Sequence, residues 1–222
     1  MKSFLWICYL VGLGFYSNTC QAQQKIIDKP ISFDEERVAL TLEYLKNRYG
    51  IEQTAPTIEP EMVVVHFTVI PSLEQTIRAF NPAKLPNWRP GIAGASALNV
   101  SSQFLVDQDG TIYRLMPENY MARHVIGLNH CAIGIENVGG AKKQPLTKAQ
   151  LEANIWLVKY LKEKYDIQYV IGHSEYTLFE GHELWKEVDD GYRTQKTDPG
   201  DQFMIDIRKA TQGLGLKPLP QK

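Results

Sequence analysis

A single α/β domain with a mixed central β-sheet flanked by helices is the fold the sequence predicts, on three observations. Met62 to Phe67 is a nearly continuous, valine-rich apolar run of strand length, as in a strand buried on both faces. Further strand-like runs alternate with segments of helical period. Ser101 to Val106 and Thr111 to Leu115 flank Asp107-Gln108-Asp109-Gly110, a hairpin signal that makes the sheet mixed.

The elements follow in order. Ser32-Phe33-Asp34-Glu35 has the pattern of a capping box, with Ser32 as the cap and Glu35 three residues on. Val38, Leu42, Leu45 and Tyr49 then recur at helical spacing, and Gly50 can close the helix. Residues 51–61 are a loop with Pro56 and Pro60. Beyond the 62–67 strand, Ser72 to Phe80 fits a short helix with Leu73, Ile77 and Phe80 inward. Residues 81–97 form a long loop carrying Pro82, Pro86, Pro90, Gly91 and Gly94, and loops of that length in compact domains are often functional. After the hairpin, Cys131 to Val138 is a strand, and Thr147-x-x-Gln150 opens a helix to about Tyr165 with Leu151, Ile155, Val158 and Leu161 on one face. Tyr169 to Ile171 is a short strand, and Asp201 to Leu214 a last helix with Phe203, Ile207, Ala210 and Leu214 inward. The Pro-rich residues 215–222 are expected to form a loose tail.

Composition narrows the function. The 222 residues are 44% hydrophobic and suffice for one real core. A charged fraction of 22% with a net charge of −1 gives no electrostatic case for nucleic acid. Lys2 and the apolar run Phe4 to Phe15 read as an export signal over residues 1–22, since Ser17, Asn18 and Thr19 end the run too early for a membrane anchor. Cleavage after Ala22 would leave a soluble chain from Gln23. The competing exit, lipidation of Cys20, has a poor lipobox in Ser17-Asn18-Thr19 and is the one route to membrane contact. The protein is thus expected to be exported to the periplasm or outside the cell. Cys131 is then the one cysteine in the mature body of the chain, so no intramolecular disulfide supports the fold. Residues 23–60 read as an N-terminal helical extension and 61–214 as the body of the domain.

Three side chains stand where an α/β sheet gathers ligands, beyond the carboxyl ends of its strands. They are His66 at the end of the 62–67 strand, His173 after Ile171-Gly172, and Asp198 in Lys196-Thr197-Asp198-Pro199-Gly200. Two histidines and one carboxylate with an open fourth position make a catalytic zinc site. Plainer readings stand beside this one. A histidine at a strand end can simply be hydrogen-bonded, and Asp198-Pro199 is also a good helix start. Glu136 interrupts the apolar run Ala132-Ile133-Gly134-Ile135. Alternation puts it on the face of Gly134, either at a site or facing solvent on an edge strand.

Taken in order, five segments carry a family pattern. They are Val64-Val65-His66-Phe67-Thr68, Asp107-x-Asp109-Gly110-Thr111-Ile112-Tyr113, Ala132-Ile133-Gly134-Ile135-Glu136, Ile171-Gly172-His173 and Lys196-Thr197-Asp198-Pro199-Gly200. Over roughly residues 60–212 the chain resembles the type 2 N-acetylmuramoyl-L-alanine amidases, which are related to the peptidoglycan recognition proteins. The resemblance implies Zn2+ held by His66, His173 and Asp198, with Glu136 as the acidic catalytic residue and Lys196 as the basic residue beside the metal. His124, in Ala122-Arg123-His124-Val125, is similar to a segment along the substrate cleft and is expected to bind substrate. The implied reaction is hydrolysis of the amide between N-acetylmuramic acid and L-alanine in peptidoglycan or a muropeptide, with no obligate protein partner. The chain departs from the pattern at Gln103, where relatives often carry His, at Arg123 in place of Trp, and in an extra segment around Leu178 to Arg193. A recognition module that binds peptidoglycan without cutting it is the competing class. Another zinc hydrolase of the envelope is a second rival, with no His-Glu-x-x-His string to support it.

Overall fold

The computed structural model describes residues 24–87 and 89–221. The export signal expected over residues 1–22, with Cys20 and Ala22, lies outside them. Six strands form one mixed sheet in the order β1-β4-β3-β5-β2-β6: β1 (Ile26–Asp28), β2 (Met62–Val65), β3 (Phe104–Val106), β4 (Ile112–Arg114), β5 (Ala132–Asn137) and β6 (Tyr169–Gly172). Only β3 and β4, the expected hairpin, pair antiparallel; β2 lies between β5 and β6 and runs parallel to both. β1 is a strand the sequence did not disclose. It pairs parallel with β4, so the segment ahead of residue 61 adds an edge to the sheet as well as a helix.

Alternation along the central strands sorts their side chains between two faces. Val63, Val65, Ile133, Ile135 and Val170 pack against α4 (Lys148–Lys164) and α5 (Asp201–Ala210). Met62, Val64, Ala132, Tyr169 and Ile171 face the opposite way, onto Val125, Leu128, Tyr176 and Phe179. The helix α1 (Glu35–Tyr49) covers a third region through Tyr44, Leu45 and Tyr49 with Ile58, Leu98 and Met121, and the segment 81–97, expected as a loop, contains one turn of helix, α3 (Pro90–Ala93). Among the described residues no helix is long and apolar enough to cross a membrane.

Helix ends follow local chemistry. α4 opens with the expected box: the Gln150 amide donates to Thr147 Oγ1, and the Thr147 amide to Gln150 Oε1. At α1 the cap is Asp34, not Ser32. Asp34 accepts from the Arg37 amide, while the Ser32 amide and hydroxyl donate to Asn81 Oδ1. The cap moves two residues because Arg37 is buried, and the helix turns to point it inward. Its Nε donates to Ser32 O, and its Nη2 to Phe80 O, Asn81 O and Pro82 O, around the C-terminus of α2 (Leu73–Phe80). Burying a guanidinium demands such partners, and the negative end of a helix supplies them.

α5 ends at Ala210, which is exposed, and Met204 takes the inward place expected for it. The residues after Gly215 are attached to the body. The Lys217 amide donates to Gln168 O at 2.8 Å, and Leu216 and Leu219 pack on the core. The composition of this segment concealed that anchoring.

Candidate active site and metal centre

The sheet register assembles the centre of the site. Val64 pairs with Gly134 and Ile171, and Val65 with Ile135 and Gly172. At the next level stand Glu136 on β5 and, just past the ends of β2 and β6, His66 and His173, the latter opening a 3-10 turn (His173–Phe179). The ladder continues to this level, with the His66 amide donating to Ile135 O at 2.8 Å and the Asn137 amide to His66 O at 3.2 Å. β5 is interior to the sheet, so Glu136 is no edge-strand carboxylate. Asp198 arrives from the loop before α5. The cap of that helix is Gly200, which leaves the Asp198 side chain free of capping. The loop presses onto β6 because Gly172 has no side chain: a Cβ there would lie 2.9 Å from Pro199 and 3.0 Å from Met204. The Ser174 amide donates to Asp198 O and pins it.

His66, His173 and Asp198 are 1%, 7% and 8% exposed. Their donor atoms converge. His66 Nδ1 lies 2.9 Å from His173 Nδ1 and 3.2 Å from Asp198 Oδ2, which is 3.0 Å from His173 Nδ1. Of all histidines, cysteines and acidic residues described, these three form a group whose ligand atoms lie close enough to hold a metal ion. Although burial opposes it, the neighbouring His173 and His66 rings hold the Asp198 carboxyl well below the usual carboxylate range. Burial, then the neighbouring His66, pushes His173 down to about 3, so its ring is neutral and fit to be a ligand.

The centre opens into a cleft of about 410 Å³. Glu136 stands on its floor with Oε2 enclosed and without a hydrogen-bond partner. Burial raises its carboxyl to about 7; the fields of His66, Arg89 and Lys196 work against the rise and that of Asp198 adds to it. Lys196 lines the same cleft, and burial lowers its pKa. The Lys196–Asp198 spacing in an extended segment thus delivers both side chains to one side.

His124 lines the cleft and is also buried, and both ring nitrogens have protein neighbours: Nδ1 is 3.0 Å from His66 Nε2 and Nε2 is 3.3 Å from Ala132 O. The space left by Gly134 is filled by the His124 ring, from which a Cβ at that position would lie 3.0 Å. Gln103 stands behind this arrangement, its Oε1 accepting from the Gly134 amide and its Nε2 donating to Tyr120 O. Asn129 holds the His124 loop from the other side. Its Oδ1 accepts from the amides of His124 and Val125, and its Nδ2 donates to the Tyr49 hydroxyl of α1.

Several lining residues escaped sequence reasoning. Arg89 comes from the long 81–97 loop, whose length was the one signal for it. Tyr192 and Thr194 come from the end of the extra segment. That segment is strapped to α1 by Arg48, which meets Glu187 at 2.6 Å and stacks over Tyr192 at 4.7 Å. Arg123 crosses underneath, donating to Ser96 O, Leu98 O, Ile92 O and the Tyr192 hydroxyl.

Residues 53–201 match the family model described as N-acetylmuramoyl-L-alanine amidase. No curated protein matches the chain. Among solved structures, the N-acetylmuramoyl-L-alanine amidase LysC from Clostridium intestinale URNW superposes with a TM-score of 0.52 at 22% identity, over 87% of this chain and 99% of that one. An endolysine amidase from the same organism, LysCS, gives 0.52 and 22%, over 87% and 97%. At this identity the likeness is one of fold. The family match spans most of the sequence and every residue from the 62–67 strand to Asp198: the chain belongs to the type 2 N-acetylmuramoyl-L-alanine amidase family and is an amidase.

Proposed function

We propose that the protein hydrolyses, with zinc, the amide joining the lactyl group of N-acetylmuramic acid to the first L-alanine of a peptidoglycan stem peptide. The observation that carries this reading is the convergence of three buried ligand atoms beside a carboxyl raised to about 7 on the floor of one cleft.

The donor set fits a divalent cation. His66 Nδ1 and Asp198 Oδ2 are both acceptors 3.2 Å apart once the histidine offers its lone pair, a contact that a cation between them turns from repulsive to attractive. Two imidazoles and one carboxylate are the ligand chemistry of catalytic zinc, which keeps a position open. When bound, zinc supplies Lewis acidity to the scissile carbonyl and brings the pKa of water down to about 7. Glu136 Oε2, unpartnered in the cleft, accepts the proton of the attacking water and returns it to the leaving amine nitrogen. The Lys196 ammonium faces the carbonyl oxygen as charge develops on it. The cleft walls hold the glycan and peptide in place and exclude water.

Mass spectrometry of digested peptidoglycan tests this. Free stem peptides beginning with L-alanine are expected from the purified protein, and none after exhaustive chelation. Binding without peptide release would identify a recognition module instead, and undiminished cleavage after chelation would remove zinc from the mechanism. Export is part of the same proposal: the chain recovered outside the cytoplasm should begin near Gln23, and a diacylglycerol-modified Cys20 would replace the soluble form with a lipoprotein.

A further inference from the structure

Hydrogen-bond accounting around His124 assigns it a role that neither its sequence context nor the family pattern indicates. The Ala132 carbonyl can only accept, so the His124 nitrogen facing it, Nε2, must carry a proton. No carboxylate touches this buried ring, so it is held neutral and has that one proton alone. His124 Nδ1 is therefore an acceptor. The atom 3.0 Å from it, His66 Nε2, must then be the donor. A neutral His66 protonated at Nε2 has its lone pair on Nδ1, the atom that points at His173 and Asp198. Both nitrogens of His124 are used by the protein, leaving no polar ring atom for a ligand. Gly134 seats the ring, and Asn129 fixes its backbone.

We propose that His124 is a positioning residue for the metal centre: by accepting the Nε2 proton of His66 it commits the His66 Nδ1 lone pair to the metal. The inference rests on the metal-site reading above. Residues that orient a ligand histidine in this way typically contribute about 10–100-fold to metal affinity.

Two measurements test it. Nitrogen-15 imidazole NMR of the metal-free wild-type protein, with His66 assigned by the signals lost in His66→Ala, should show His66 protonated at Nε2 alone. Zinc affinity, by competition with a chromophoric chelator, should fall about 10–100-fold in His124→Phe. His124→Asn, which can place an amide oxygen near the former Nδ1, should recover most of the loss. A His66 proton on Nδ1, or wild-type zinc affinity in His124→Phe, would overturn the proposal. So would equal losses in the Phe and Asn variants, which would mean packing alone. The NMR result is independent of the metal. Should wild-type protein bind no zinc while His66 shows the Nε2 proton, the metal reading fails and the relay stands.

Discussion

On the floor of the cleft, His66, Glu136 and His173 are placed by three adjacent parallel strands at one register level. On its walls, Tyr44, Arg89 and Tyr192 are placed by a helix, a long loop and an extra segment that meet through arginines. The floor is held by the backbone ladder and two apolar layers, where a shift of one residue would turn every side chain to the other face. The walls are held by buried guanidinium groups reaching main-chain carbonyls far away in sequence, as Arg37 does to Phe80 and Arg123 does to Leu98. In the proposed reaction floor residues carry the chemistry, which requires fixed geometry, and wall residues carry substrate fit. Changes on the floor should strike metal binding and kcat, and changes in the walls should strike stability and KM.

The largest effect is expected from His173→Ala. It removes one of three converging donors and should lower zinc content and turnover to background together, by metal analysis and a peptidoglycan assay on the same sample. Retention of either would break the floor account. Next is Arg123→Met, which leaves several loop carbonyls and the Tyr192 hydroxyl without a donor. It should cost on the order of 3 kcal/mol of stability by denaturant unfolding and raise KM more than it lowers kcat. A fall in kcat with KM unchanged would mean that walls and floor are not separable.

A smaller effect follows from the pKa of Glu136 in metal-free protein. A carboxyl raised from 4.5 to about 7 by folding contributes stability that is complete below pH 4.5 and is lost as pH rises through 7. Glu136→Gln, which stays neutral, should thus be more stable than wild type at pH 8, by roughly 1–3 kcal/mol, and little different at pH 4. The same gain at both values would show that burial of charge is not its source. The smallest effect separates two residues just ahead of α1. Asp34→Ala should cost about 1 kcal/mol as the loss of a helix cap, while Ser32→Ala, whose hydroxyl makes an exposed contact, should cost clearly less.

The floor was legible in the sequence because a polar residue that ends or interrupts a buried apolar strand is a local signal. His66 closes the run Val63-Val64-Val65 and Glu136 breaks Ala132-Ile133-Gly134-Ile135, while the ordered motifs tie the two segments to one family. The walls were not legible, for reasons that are equally physical. Nothing local marks Arg37 or Arg123 as buried, since a buried arginine is decided by carbonyls that only the folded chain brings near. The Ser32 cap failed for the same reason: the inward pull on Arg37 turned α1 and moved its start. β1 escaped because three residues, Ile26–Asp28, are too few to show a period. His124 was legible as part of the cleft, yet its partners His66 and Ala132 are set by tertiary packing.

The central claim is that Glu136 performs proton transfer on a floor whose metal it does not hold, and Glu136→Gln tests it most directly, with metal content and pH–rate profile measured on one preparation. The wild-type kcat/KM should rise with pH as the carboxyl ionises. The rise should lie below pH 7, because a bound cation favours the charged form of a group that burial alone sets near 7. Glu136→Gln should keep its zinc, lose turnover by roughly 10²–10⁴-fold and lose that acid limb. Near-normal turnover would make Glu136 a bystander on the cleft floor, and loss of zinc would make it a ligand; either result contradicts the account.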